Sequence, residues 1–148
     1  MSLQNVDRFT PVTQHIFDLM ESRKAQLGLL DVWYGDQVLN PRTPSLTVES
    51  GAFERVFAGV SGKGTTENAI RVTLIIYIAK IGDTQVNLKD SELMAEEIMD
   101  ILHEDVNLGG LVLSSYVRSI EPGVIRKGAS LMRATRISWQ GMTKTRII

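Results

Sequence analysis

Ala69-Ile70-Arg71-Val72-Thr73-Leu74-Ile75-Ile76-Tyr77-Ile78-Ala79-Lys80 is the stretch on which the fold turns. Ile70, Val72, Thr73, Ile75, Ile76, Tyr77 and Ile78 are β-branched or aromatic, and such side chains pack well on a pleated backbone. Toward Ile78 both faces of the run become apolar, so the spacing predicts a strand central in its sheet. Phe53 to Val60 reads as its partner. Between them Ser61-Gly62-Lys63-Gly64-Thr65-Thr66 supplies a glycine-rich turn, and the pair reads as a long β-hairpin.

Working outward from the hairpin, Ser45 to Glu49 alternates, with Leu46 and Val48 on one face, and reads as a further strand. Before it lie Trp33-Tyr34-Gly35-Asp36 and Asn40-Pro41-Arg42-Thr43-Pro44. Two prolines so close forbid a helix and favour an extended or turning chain. Thr10-Pro11 carries the signals of a helix start, and Gly28 those of a helix end. Between them Val12, Ile16, Leu19, Met20, Arg23 and Leu27 recur at helical spacing.

On the other side of the hairpin, Asn87 is the expected cap of a second helix. Its buried side is marked by Leu88, Leu93, Met94, Ile98, Ile101, Leu102 and Val106. Asp90, Glu92, Glu96, Glu97 and Asp100 put negative charge toward its start and outer face, and Asn107 and Gly109-Gly110 stop it. Leu111 to Ile120 and Ala129 to Trp139 read as two last strands, with a turn beginning at Glu121-Pro122-Gly123. The order of helix, strands, helix and two strands predicts an α+β domain over residues 1–148. Its sheet is mostly antiparallel, with two main helices on one face.

Composition narrows the function classes. The chain has 148 residues, enough for one domain with its own core. Seventeen acidic residues balance 16 basic ones, so no strong field draws nucleic acid or an anionic membrane. Cysteine is absent, which excludes disulfides and thiolate metal sites. Met1-Ser2-Leu3-Gln4-Asn5-Val6-Asp7-Arg8 has no apolar core of a signal peptide. The longest apolar run, Leu74 to Ile81 interrupted by Lys80, is too short to span a bilayer. A soluble protein folding in a cytoplasm is expected.

Gly59-Val60-Ser61-Gly62-Lys63-Gly64-Thr65-Thr66 looks like a phosphate-binding loop, but the spacing fails. Phe57 stands where the distant glycine belongs, and Gly64 stands where a magnesium-binding Ser or Thr belongs. The segment after the loop, Ala69 to Lys80, reads as a strand, whereas a phosphate cradle opens a helix. A flexible hairpin tip is the better reading. His15 and His103 have no ligand-spaced partners. Ser114-Ser115 lacks a nucleophile-elbow motif. Arg126, Lys127, Arg133, Arg136, Lys144 and Arg146 make the C-terminal stretch basic, in contrast to the acidic second helix. Arg133, Thr135 and Ile137 share one strand face there, and Met132, Ala134 and Arg136 the other.

Several stretches together resemble the tail terminator (tail completion) proteins of long-tailed bacteriophages. They are the N-terminal helix, Trp33-Tyr34-Gly35-Asp36 leading to Pro44-Ser45-Leu46-Thr47-Val48-Glu49, the long hairpin, and the acidic helix ending His103-Glu104-Asp105. Leu108-Gly109-Gly110-Leu111-Val112 and Val117-Arg118-Ser119-Ile120-Glu121-Pro122-Gly123 complete the set. The resemblance covers nearly the whole chain and rests on element order and turn positions. It implies a virion protein of the tail or neck, made in the host cytoplasm, that forms a ring of typically six copies. The ring caps the tail tube, stops its polymerisation and meets the head connector, while DNA passes through it without specific recognition. It implies no catalytic residue, no cofactor, no metal and no membrane. Ser61, Gly62, Lys63, Gly64 and Thr65 at the hairpin tip, with Glu96 and Glu97 on the acidic helix, are the expected interface residues. The alternatives are another neck or head–tail joining protein and, in a different class, a small nucleotide-binding enzyme built around Gly62-Lys63-Gly64.

Overall fold

The long apolar run is the middle of a five-stranded sheet. In the computed structural model, which describes residues 9–35, 41–57, 65–80 and 88–146, the strands are β1 (Asp31–Tyr34), β2 (Ser45–Phe57), β3 (Thr65–Lys80), β4 (Ser114–Lys127) and β5 (Ser130–Arg146). The helices are α1 (Phe9–Ser22), α2 (Lys24–Leu27) and α3 (Leu88–His103), with a 3-10 turn at Leu108–Gly110. The strand order is β1-β2-β3-β5-β4. β3 therefore lies between two antiparallel partners, β2 and β5, as its two apolar faces predict. β4 pairs antiparallel with β5, and β1 runs parallel to its neighbour, β2.

The expected strand Ser45–Glu49 and the described part of the expected strand Phe53–Val60 are one strand, Ser45–Phe57; residues 58–60 lie outside the described residues. Between Ser50 and Phe53 the register against β3 slips by a residue: Ser50 faces Val72 and Phe53 faces Ile70. Such a bulge shifts the two-residue alternation by one, so a continuous strand reads as two. Gly51 sits in the bulge, where a Cβ would lie 3.1 Å from the Arg71 carbonyl oxygen. β1 forms where the sequence predicts only extended or turning chain. It is four residues long, and its partner begins 14 positions later at Ser45, so no local pattern announces it.

Glu121-Pro122-Gly123 is not a turn. It lies inside β4, opposite Arg136, Thr135 and Ala134, and the reversal comes later, at Gly128, with a φ of 59°. A proline costs a sheet one N–H, which an edge strand such as β4 can spare. The first helix breaks at Arg23 into α1 and α2. Gly28, the expected end, adopts the left-handed conformation that closes α2. α3 stops at His103, so Val106 falls beyond it and is exposed. Leu93 is exposed as well; the buried positions are Ala95, Ile98, Ile101 and Leu102.

All three helices contribute to one core. Val12, Ile16 and Met20 of α1, Leu27 of α2 and the buried positions of α3 pack on Leu46, Val48, Ile70, Val72, Leu74, Ile76, Ile137 and Trp139 of the sheet. The expected arrangement of helices on one sheet face holds. Thr13 is buried on α1 and joins its hydroxyl to that of Ser50, 2.8 Å away, tying helix to bulge. The Trp139 ring lies over Gly141, where a Cβ would stand 2.5 Å from a ring carbon. The opposite face carries a smaller cluster of Ile75, Tyr77, Met132 and Ala134.

Candidate functional site

β1 and β4 end the sheet, and each leaves one row of backbone groups without a strand partner among the described residues. Such edges are templates for another chain. The two are unlike. The β1 edge is short and aromatic: Leu30, Trp33 and Tyr34 are exposed, and Tyr34 meets Phe17 of α1 edge to face at 5.8 Å. Asp31 is clipped there by Arg42 through two hydrogen bonds of 2.8 and 2.9 Å. The donated bonds and the charge of Arg42 hold the Asp31 carboxyl below its ordinary value, against a smaller opposing effect of desolvation.

The β4 edge is long and carries Leu113, Tyr116 and Val124 in exposed positions. Beside it, Glu121, Pro122, Gly123, Val124, Ile125, Ala134 and Arg136 line an open depression of about 160 Å³. Near its start β4 is held to the end of α3. Ser115 Oγ donates to the Val106 carbonyl at 2.8 Å, and the Val117 amide donates to His103 Nε2 at 3.1 Å. His103 thus serves as an acceptor at a strand bulge. His15 instead stands beside Gly109, within 3.7 Å of the Cβ a larger residue would carry there.

The basic C-terminal stretch divides. Lys127 is buried, its ammonium 5.4 Å from the centre of the Tyr77 ring, where a cation is attracted by the ring face. Arg126, Arg133 and Arg136 are exposed. β5 alternates as expected, but its two faces are not uniformly outward: Thr135 and Ile137 are buried under the helices while Arg133, on the same face, lies beyond their cover. The side chains of Lys144 and Arg146 lie outside what the structure describes.

Of the expected interface residues, Glu96 is exposed on α3, and Glu97 is half-buried, 3.4 Å from the Gln26 amide nitrogen that donates to it. Ser61, Gly62, Lys63 and Gly64 lie outside the described residues. Thr65 opens β3, so the loop leads into a strand and not into a helix. Among the described residues no group of three or more His, Asp or Glu is placed to hold a metal ion, and no helix is long and apolar enough to cross a membrane. Sequence reasoning misses the exposure of Trp33 and Tyr34, and of Val124 with Leu131 at the β4–β5 turn. Their types fit a sheet interior, and nothing local says where helical cover ends. No protein-family model matches the sequence, and no curated protein matches it.

Proposed function

We propose that this chain is a tail terminator: a non-enzymatic structural subunit whose copies form a ring, of six in the form the resemblance implies. That ring caps a phage tail tube, ends its polymerisation and offers a surface to the head connector. The observation that carries the reading is the pair of unlike open edges at opposite ends of one sheet. A ring needs two different surfaces on each subunit that are complementary to one another, because its contacts run head to tail. Near-neutral charge suits a channel that lets DNA pass without gripping it. The whole-chain sequence resemblance supplies the specific assignment to the tail tip nearest the head. The test is genetic and visual: tails assembled without the protein should be overlong or fail to join heads in electron micrographs. Tails of normal length that join heads would remove the assignment.

A further inference from the structure

At the end of the β4–β5 hairpin, the face that packs under the helices elsewhere is exposed. Ile120 and Ile137 are cross-strand partners that pack into or against the helix-covered core. Alternation from that pair puts Val124, Arg126, Leu131 and Arg133 on the same face. Val124 faces Arg133 and Arg126 faces Leu131, so the two arginines lie on one diagonal and the two apolar side chains on the other. All four are exposed: Val124 at 51% and Leu131 at 44%. A second surface of the same chain has the opposite charge and the same mixture. Glu92, Glu96 and Asp100 recur every fourth residue on α3, all exposed, and Leu93 beside them is 52% exposed. Neither arginine, and none of these three carboxylates, has an ion-pair partner among the described residues.

We propose that the β4–β5 hairpin end of one copy seats on the acidic stripe of α3 in the next copy, with Arg126 and Arg133 against Glu92 and Glu96 and with Val124 and Leu131 against Leu93. This contact rests on the assembly role of a ring subunit and names its partner as a second copy of this chain. The spacing fits. Residues four apart on a helix rise about 6 Å, and diagonal cross-strand residues stand about 7–8 Å apart, a difference that long arginine side chains absorb. Apolar groups between the charges favour a protein partner: a phosphate backbone presents no carboxylate-flanked leucine and gains nothing from Val124 or Leu131. Hairpin and helix stripe are different surfaces, so the contact is heterologous, as a ring requires.

The chain has no cysteine, so Leu93→Cys with Leu131→Cys introduces its only two thiols. Treatment with bismaleimidoethane should link copies to one another, giving a ladder on a denaturing gel that ends at one closed size. Adding Arg126→Glu and Arg133→Glu should cut the yield by about tenfold or more, because like charges across an interface are strongly disfavoured. Adding Glu92→Arg and Glu96→Arg to that same chain should restore it, which a folding defect would not allow. A product that closes at two copies would keep the contact and overturn the ring reading. Linkage within one copy, no linkage, or linkage indifferent to charge reversal would overturn the contact. So would retention of a duplex DNA oligonucleotide, lost on reversal of the arginines, in a protein that never crosslinks.

Discussion

The middle of β5 and the far end of the β4–β5 hairpin belong to the same ribbon, yet they have opposite fates. Ile137 and Trp139 are fully buried beneath the helices, whereas Leu131, on the same face of the same strand, is exposed. Residue type does not make the difference. Coverage does: the helices are shorter than the ribbon they sit on. Burial of apolar surface stabilises by about 25 cal/mol per Å², so the covered part carries the fold. The uncovered part retains apolar side chains that are only about half buried and contribute less to it. An apolar group kept where folding does not use it is available for association.

Substitution at the covered end should give the largest effects. Trp139→Ala should cost about 3–5 kcal/mol of stability, read by urea unfolding, since it removes the largest fully buried side chain and leaves a cavity. Gly141→Ala comes next, at about 1–3 kcal/mol, because the new methyl meets the side chains of Trp139 and Val112, both buried. Trp139→Phe in the same chain should recover part of that loss. Full additivity of the two substitutions would show that the ring and the glycine do not share a constraint.

The β1 edge stands between the two extremes. Asp31 is partly covered and Arg42 largely exposed, so their bidentate pair contributes only modestly. Because the folded-state carboxyl of Asp31 is held below its ordinary value, the pair's contribution is present above the unfolded carboxylate range, about pH 4. It disappears as the pH falls through the lower folded value. The parent should therefore melt above Asp31→Asn at neutral pH, and the two should converge as the pH falls through the carboxyl's lowered folded value. A gap that widened on acidification would mean that folding raises the Asp31 carboxyl instead of lowering it.

These contrasts also mark how far the sequence can be read. β3 and its central place are legible from Ile70 to Ile78, since a strand apolar on both faces has to be covered on both. The buried stripe of α1 and the Gly28 cap are legible from local spacing. The bulge at Ser50–Phe53 is not, because one inserted residue resets the alternation and looks like a break. Pro122 reads as a turn because a proline in mid-strand is tolerated only at an edge, and edge position is a property of the assembled sheet. For the same reason Val124 falls in the expected turn, and nothing local marks Leu131, Trp33 and Tyr34 as exposed strand residues. The acidic row of α3 is visible as charge, but its match to the hairpin end depends on which residues the helices leave bare.

The smallest effect on stability is expected at that bare end, and it separates the two roles most sharply. Val124→Ser with Leu131→Ser replaces two apolar side chains by polar ones, a change that costs several kcal/mol inside a core. Here each side chain is about half exposed. Exposed positions with no cap, turn or ion pair to lose change stability by only about 0.5 kcal/mol in either direction. Serine also keeps the strand pairing of β4 with β5, which is made by backbone groups. The double variant should therefore unfold at nearly the parent's urea midpoint with an unchanged slope, while joining of tails to heads, scored by electron microscopy, should fall. The two measurements pull apart only if the hairpin end is retained for association. A large loss of stability would mean that further cover buries it in the folded monomer. Unchanged stability with unchanged assembly would mean that its apolar side chains serve neither purpose.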